Sequence, residues 1–185
     1  MIYHSLFESH MTYCISVWGN VAKTRLDKLF RLQKRCIRIL FGEQKLCYDS
    51  NPINTYCKEH TKPLFSAHDI LTIQNVYSYQ TCLEVTKVLK LRTPAVIHSL
   101  FTPSPRDSSN LLILPQQSKY FKFQAAKIWN TVAKTTAKSL DPISIKMSLF
   151  KSNLRKSLLE IQRKHDEQEW DPDNFNVSLL HKENV

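Results

Sequence analysis

Only two glycines, Gly19 and Gly42, occur in the 185 residues of this chain. Tight hairpins and phosphate-cradling loops lean on glycine, because it enters left-handed backbone without a steric penalty. A chain this poor in glycine, with no Asn-Gly pair, is a poor source of β-hairpins and of the turns in a βαβ nucleotide-binding fold. The remaining route to a core is helical, and apolar residues do recur at three- and four-residue steps over long stretches. With 42% hydrophobic and 23% charged residues, the composition is that of a globular domain. The expectation is a mostly α protein: a helical hairpin, then a small irregular helical bundle with Pro- and Ser-rich loops.

The periodicity divides the chain. Over 2–17, Ile2, Leu6, Tyr13 and Val17 fall at near-helical spacing, with Phe7 and Ile15 widening the face, until Trp18-Gly19-Asn20 breaks the pattern. Thr24, with Asp27 three residues on, resembles a capping box opening a second helix. In that helix Leu26, Leu29, Phe30, Ile37, Leu40 and Phe41 form an apolar stripe, with Cys36 at its margin. Gly42 stands where a helix end favours a left-handed residue. Residues 43–63 read as a connection, and a long helix is expected from about Ala67 to Lys90, burying Ile70, Ile73, Tyr77, Leu83, Val88 and Leu89, before Thr93-Pro94 stops it. After a Pro- and Ser-rich stretch around LLIL, a helix is expected over Lys122–Lys134, with Phe123, Ala126 and Trp129 on one side. Ser144 is placed to cap a last helix in which Ile145, Leu149, Leu154, Leu158 and Ile161 face inward and Lys146, Lys151, Arg155, Lys156, Arg163 and Lys164 face water. The expected organisation is a hairpin over 1–42, a helical extension over 43–165, and an acidic, disordered tail over 166–185.

Charge separates along the same lines. Residues 166–185 carry six acids against Lys182, a net −5, and the other 165 residues carry 25 Lys and Arg against 10 acids, a net +15. A basic body suits a polyanion, because Lys and Arg gain affinity by displacing phosphate counterions. No apolar run has the roughly 18 residues of a membrane span, and Glu8 and His10 interrupt the first apolar stretch, so neither membrane insertion nor a signal peptide is expected. Five irregularly spaced cysteines (Cys14, Cys36, Cys47, Cys57, Cys82) suit reduced thiols, hence cytoplasm or nucleus. Cys47, Cys57 and His60, followed by His68, lack the paired spacing of a zinc site, and no Cys–His pair is marked as a nucleophile. Two-metal phosphoryl transfer needs closely placed acids, which residues 1–165 do not offer. No metal, cofactor or catalytic residue is expected.

The most informative stretch is TRLDKLFRLQKRCIRILFG, residues 24–42. Lys28, Arg31, Arg35 and Arg38 recur at three- and four-residue steps, with Lys34 beside them. Such residues share a helix face at about 5–6 Å intervals, a spacing close to that of successive phosphates. Like charges so close repel by a few tenths of a kcal/mol per pair, and only Asp27 offers local compensation. A plain solvated face usually mixes signs, so the row points to phosphate contact, with simple solvation as the alternative. A second basic cluster, SKYFKFQAAK, sets Lys119, Lys122 and Lys127 among aromatics able to stack on unpaired bases.

These motifs also carry a family resemblance. YHSLFESHMTYCISVWGN (3–20) followed by LDKLFRLQKRCIRILFG (26–42) resembles the segment after the catalytic palm in reverse transcriptases of non-LTR retrotransposons, most of all the jockey-like LINE polymerases. In that family a tyrosine-containing helix ends in V-W-G and the next carries L-Q-x-K/R-x-I-R. Val17, Trp18, Gly19, Leu32, Gln33, Lys34, Arg35, Ile37 and Arg38 fill those places. HTKPLF (60–65), the loop PRDSSNLLILP with Arg106, and Trp129-Asn130 before FKSNLRKSLL (150–159) follow in the family's order, so the resemblance spans roughly residues 2–160. Pro103-Ser104-Pro105 before Arg106 departs from the family's N-x-T-R, and Val132-Ala133 replaces its usual Leu-Pro.

The resemblance implies a helical thumb and C-terminal extension that grips template and primer, without the fingers, the palm or its acidic metal ligands. It implies a non-catalytic, C-terminal fragment of an RNA-directed DNA polymerase with sequence-nonspecific affinity for RNA or DNA backbone. On that reading Lys28, Arg31, Lys34, Arg35 and Arg38, with Arg106, Lys119 and Lys122, bind nucleic acid. Trp18, Leu29, Phe30, Ile37 and Trp129 are structural. The alternatives are a helical protein–protein interaction module and an inert remnant of a decayed element.

Overall fold

A computed structural model of the chain describes residues 2–42, 61–92, 95–99, 101, 121–136 and 145–167. Helix accounts for 84% of them, and no strand occurs among the described residues. A π-helical turn over Tyr3–Glu8 leads into α1 (Ser9–Thr12) and α2 (Ile15–Trp18), followed by α3 (Lys23–Phe41), α4 (Thr61–Ala67), α5 (Ile73–Leu91), α6 (Ala95–His98), α7 (Phe121–Thr136) and α8 (Met147–Glu167).

The first helical stretch packs on a different face from the one its sequence suggests. Tyr3, Met11 and Ile15 are buried and Phe7 packs beside them, whereas Ile2, Leu6, Tyr13 and Val17 are exposed. The buried set repeats every four residues, which the wider π turn accommodates better than an α turn does. The stretch then breaks at Cys14, whose left-handed backbone (φ 51°) re-aims the chain. Trp18 closes that break, its Nε1 donating to the Tyr13 carbonyl at 2.6 Å.

Helix α5 is the axis of the molecule, in contact with α1, α2, α3, α6, α7 and α8. It buries Ile73, Val76, Tyr77, Thr81, Cys82, Leu83, Val85 and Thr86, nearly all round, as a helix must when neighbours surround it. The buried Thr86 hydroxyl donates to the Cys82 carbonyl at 2.8 Å. Gly19 lets α2 meet α5 closely: a Cβ there would lie 2.2 Å from the Tyr77 ring. One apolar cluster joins Tyr3, Leu26 and Ile37 to Phe65, Leu83, Trp129 and Leu154. Residues on both sides of the 42/43 boundary expected from sequence therefore share a core. Each fully buried Leu or Ile contributes roughly 1.5–3 kcal/mol.

Several expected boundaries move. Helix α4 begins at Thr61, inside the expected connection, and Pro63 sits in its first turn, where a missing N–H costs nothing. The long helix expected from about Ala67 to Lys90 begins later, at Ile73: Ala67 ends α4, and a turn at His68–Asp69 and an extended segment separate the two helices. In α8 the buried row is Phe150, Leu154, Leu158 and Leu159, and Leu149 is exposed, because that row occupies the side facing α5 and α7. Helix also continues to Glu167, past the expected start of the tail. The LLIL segment, the 43–60 connection and the Ser144 cap lie outside the described residues.

The extended segment after Asp69 carries the fold's main polar problem. Ile70, Leu71, Thr72 and Ile73 are all buried, so their backbone groups need partners other than water. Gln33 of α3, itself 0% exposed, donates from Nε2 to the Leu71 carbonyl (2.8 Å) and to the Tyr3 hydroxyl (2.8 Å), and accepts the Ile73 N–H on Oε1 (3.0 Å). From the other side, Gln162 of α8 donates to the Ile70 carbonyl (3.0 Å) and accepts the Thr72 N–H (3.0 Å) and Asn75 Nδ2 (2.9 Å). A glutamine amide has the donor and acceptor of a peptide group, so each side chain pairs with the segment as a neighbouring strand would. Arg155 Nη2 donates to the Asp69 carbonyl at 3.0 Å, and Arg163 Nη2 to Asp69 Oδ1 at 2.7 Å. These bonds tie the turn, left-handed at Asp69 (φ 52°), to α8.

Replacing Gln33 by Leu strands the Leu71 carbonyl and the Ile73 N–H, at roughly 1–3 kcal/mol each. Urea unfolding should show a loss of about 3 kcal/mol for Gln33→Leu and a similar loss for Gln162→Leu. The double variant should lose less than the sum, because both side chains hold one segment.

Burial also sets an alkaline limit. Burial raises the Tyr3 phenol above its ordinary 10.0, opposed in part by the Gln33 hydrogen bond. Complete burial pushes the Cys82 thiol from 9.0 up to about 12. Both groups are neutral when protonated, and both have folded values above their unfolded ones. The stability they contribute is therefore whole below the unfolded values and is lost as pH rises through and beyond them. Unfolding free energy should fall from about pH 9 upward, and the fall between about pH 8 and about pH 10.5 should be shallower in Cys82→Ala and in Tyr3→Phe.

Candidate nucleic-acid interface

Helix α3 presents the basic row. Its 19 residues make a rod of about 28 Å. Leu26, Phe30, Gln33 and Ile37 are buried along one side, and Leu29, Cys36, Leu40 and Phe41 pack on the flanks. Phe30 meets Phe65 with ring centroids 6.0 Å apart, and Ile37 is fully enclosed. Trp129 is buried against Phe150, the rings 6.4 Å apart, and Trp18 is half-buried. The five residues expected to be structural all pack on the core.

The ends of α3 form differently from the sequence expectation. The N-cap is Ala22 (φ −51°, ψ 139°), with no side-chain cap bond, so the expected Thr24–Asp27 box does not form. Thr24 is already inside the helix and exposed. Gly42 is extended (φ −75°, ψ 129°) rather than left-handed, its N–H bonded to the Arg38 carbonyl. A Cβ at Gly42 would lie 2.5 Å from that carbonyl oxygen. Close approach, not positive φ, is what requires glycine there.

On the outer side Lys28, Arg31 and Arg35 are exposed, and Lys34 and Arg38 are half-buried on the flank. The Lys34 ammonium sits 4.2 Å from the centroid of the Phe30 ring, a cation–π contact that draws it toward the core edge. Arg38 Nε is buried with no hydrogen-bond partner. Among the described residues no ion pair reaches Lys28, Arg31, Arg35 or Arg38. The cations of α5 and α8 differ: Lys87 pairs with Glu84, Lys164 with Glu160, Arg163 with Asp69 and Arg155 with Glu8. Lys90 donates to the Ile145 carbonyl. The α8 face, although rich in Lys and Arg, is thus partly neutralised, while Lys28, Arg31, Arg35 and Arg38 of α3 form a strip with no ion pair among the described residues, their successive Cβ atoms about 5–6 Å apart. Such a strip can donate to several phosphates at once.

The remaining expected contacts are not brought to this strip by the described structure. Arg106 and Lys119 lie outside the described residues, as do Cys47, Cys57 and His60. Lys122 lies in the first turn of α7, with its side chain outside the description. Among the described residues no group of three or more His, Cys, Asp or Glu is placed to hold a metal, and no helix is long and apolar enough to cross a membrane. Leu32, expected only as a motif position, and Ile39, not singled out in the sequence, stand exposed among the cations, 53% and 73% accessible. Their seven-residue spacing, on the side opposite the main stripe, was the available signal.

A row of like charges without partners adds nothing to stability. Arg31→Gln and Arg35→Gln should leave the urea midpoint unchanged or raise stability by about 0.2–0.5 kcal/mol through relief of repulsion. A loss above about 1 kcal/mol would mean that these arginines hold the fold.

No family model, curated protein or solved structure matches the chain.

Proposed function

We propose that the chain is a non-catalytic, nucleic-acid-gripping piece of a retrotransposon-type RNA-directed DNA polymerase, holding RNA or DNA phosphates along the outer face of α3. The observation that carries the reading is the uncompensated cationic strip on α3, beside an α8 face whose arginines are paired. Support for the polymerase origin comes from the sequence resemblance over roughly residues 2–160, which includes the strip. Lys28, Arg31, Arg35 and Arg38 carry the phosphate contacts in this reading, with Lys34 at the flank. Such contacts do not read base identity, so binding is indifferent to sequence.

The test is affinity for a single-stranded RNA and a duplex DNA over a range of salt. Log affinity should fall linearly with log salt, by about 0.7–0.9 per phosphate contact. Replacing Arg31, Lys34, Arg35 and Arg38 with Gln should lower that slope by about 3. Replacing Lys146, Lys151, Lys156 and Lys164 with Gln should change it less. An unchanged slope in the α3 variant would move the interface elsewhere. The reading of α3 as a protein-docking face draws on Leu32 and Ile39, which a phosphate backbone leaves uncovered.

A further inference from the structure

The end of α3 and the turn that follows α4 meet through a pair of rings. His68 stacks on Phe41, the last residue of α3, with centroids 3.9 Å apart and planes inclined by 25°. Phe41 packs at the edge of the core, whereas His68 is exposed. The phenyl ring covers one face of the imidazole, so the exposure of His68 falls on its edges and its opposite face. A flat, water-facing ring backed by a second ring is a platform on which an unpaired nucleobase can stack.

The backbone beneath this ring is fixed. The His68 N–H donates to the Leu64 carbonyl at 3.2 Å, and the Ile70 N–H donates to the Phe65 carbonyl at 3.0 Å. Between them, Arg155 holds the Asp69 carbonyl and Arg163 holds the Asp69 carboxylate. The Arg163 pair also offsets the negative charge next in sequence to the ring, which lowers the repulsion of an approaching phosphate. A ring held in place before binding has little freedom left to lose when a base settles on it.

The rings also stand at the C-terminal end of the cationic row. Phe41 lies three residues beyond Arg38, and Arg38 three beyond Arg35, a step that makes side chains neighbours on a helix surface. Arg38 is half-buried there, and its Nε is buried with no hydrogen-bond partner, a cost that an incoming phosphate oxygen can relieve. A duplex offers phosphates to this row but keeps its bases stacked inside. A single strand offers phosphates and a free base together.

We propose that the His68–Phe41 pair is a stacking site for an unpaired base of single-stranded RNA or DNA, whose neighbouring phosphates lie on Arg38 and Arg35. The site rests on the phosphate-binding reading of α3 and adds to it a contact that a duplex cannot make. It does not read base identity, because every base has a π-face.

Two probes of equal phosphate number separate the two readings. One is an oligothymidylate carrying 2-aminopurine at alternate positions, whose fluorescence is quenched on stacking, and the other is a fully paired DNA duplex. The full chain should quench the 2-aminopurine on binding. His68→Ala should remove that quenching and weaken single-strand binding roughly five- to hundredfold, with duplex affinity and both salt slopes unchanged. His68→Trp, which keeps a ring on Phe41, should restore both quenching and affinity. If the ring only fastens α3 to α4, His68→Ala will weaken single strand and duplex alike, and that result would overturn the stacking site. Unchanged single-strand binding in His68→Ala would overturn it too, and a salt slope still lost in the α3 glutamine variant would then leave the phosphate reading standing alone. Absence of salt-dependent binding to either probe would end both readings.

Discussion

Three residues of non-helical backbone, Ile70 to Thr72, cross the interior between α4 and α5, and the rest of the structure is arranged so that they can. Backbone buried without partners costs more than most side-chain contacts return. Two glutamine side chains resolve this, one on each side. Gln33 extends from α3 and also takes in Tyr3, and Gln162 extends from α8 and also takes in Asn75. The first helical stretch, α3, α5 and α8 are thereby locked into one register by directional bonds rather than by apolar contact alone. Apolar packing tolerates sliding, and a set of hydrogen bonds at 2.8–3.0 Å does not.

That register has a consequence for charge. With Gln33 aimed at the segment, Leu26, Phe30 and Ile37 share its side of α3, and Lys28, Arg31 and Arg35 are forced outward. On α8 the equivalent glutamine brings Arg155 and Arg163 against the Asp69 turn, where they spend their donors on the fold. Two helices of similar basic composition thus take different roles: α8 uses part of its charge internally, and α3 leaves most of its charge for something outside the described core. The same geometry leaves Leu32 and Ile39 exposed between the cations.

The helical class was legible in the sequence because a 3.6-residue repeat and the shortage of glycine both constrain local backbone. Leu26, Phe30 and Ile37 could be assigned to the core from period alone, and Trp129 fell on the expected face of α7. Other features depended on distant partners. Nothing local marks Ile2, Leu6, Tyr13 and Val17 as outward-facing, since their spacing is as helical as that of the buried set. The π turn and the left-handed Cys14 decide between the two faces, and both answer to the approach of α3 and α5. Ala22 caps α3 where Thr24 looked better suited, showing how weakly a capping motif constrains a helix start that packing already sets. Gln33 was visible within a motif and Gln162 was not singled out, because a buried glutamine and a solvated one look alike until the groups opposite them are known.

The amino-acid sequence by itself determined that this chain is helical, that its charge is divided between a basic body and an acidic end, and that α3 carries cations along one side. These follow from composition and from periodicities within a few residues. Only the tertiary structure decided which of those cations remain unpaired, where a buried strand-like segment interrupts the helices, and why Gly19 and Gly42 have no room for a side chain. Each of these depends on what a residue meets across the fold, and a contact between residues ninety positions apart leaves no trace in local pattern.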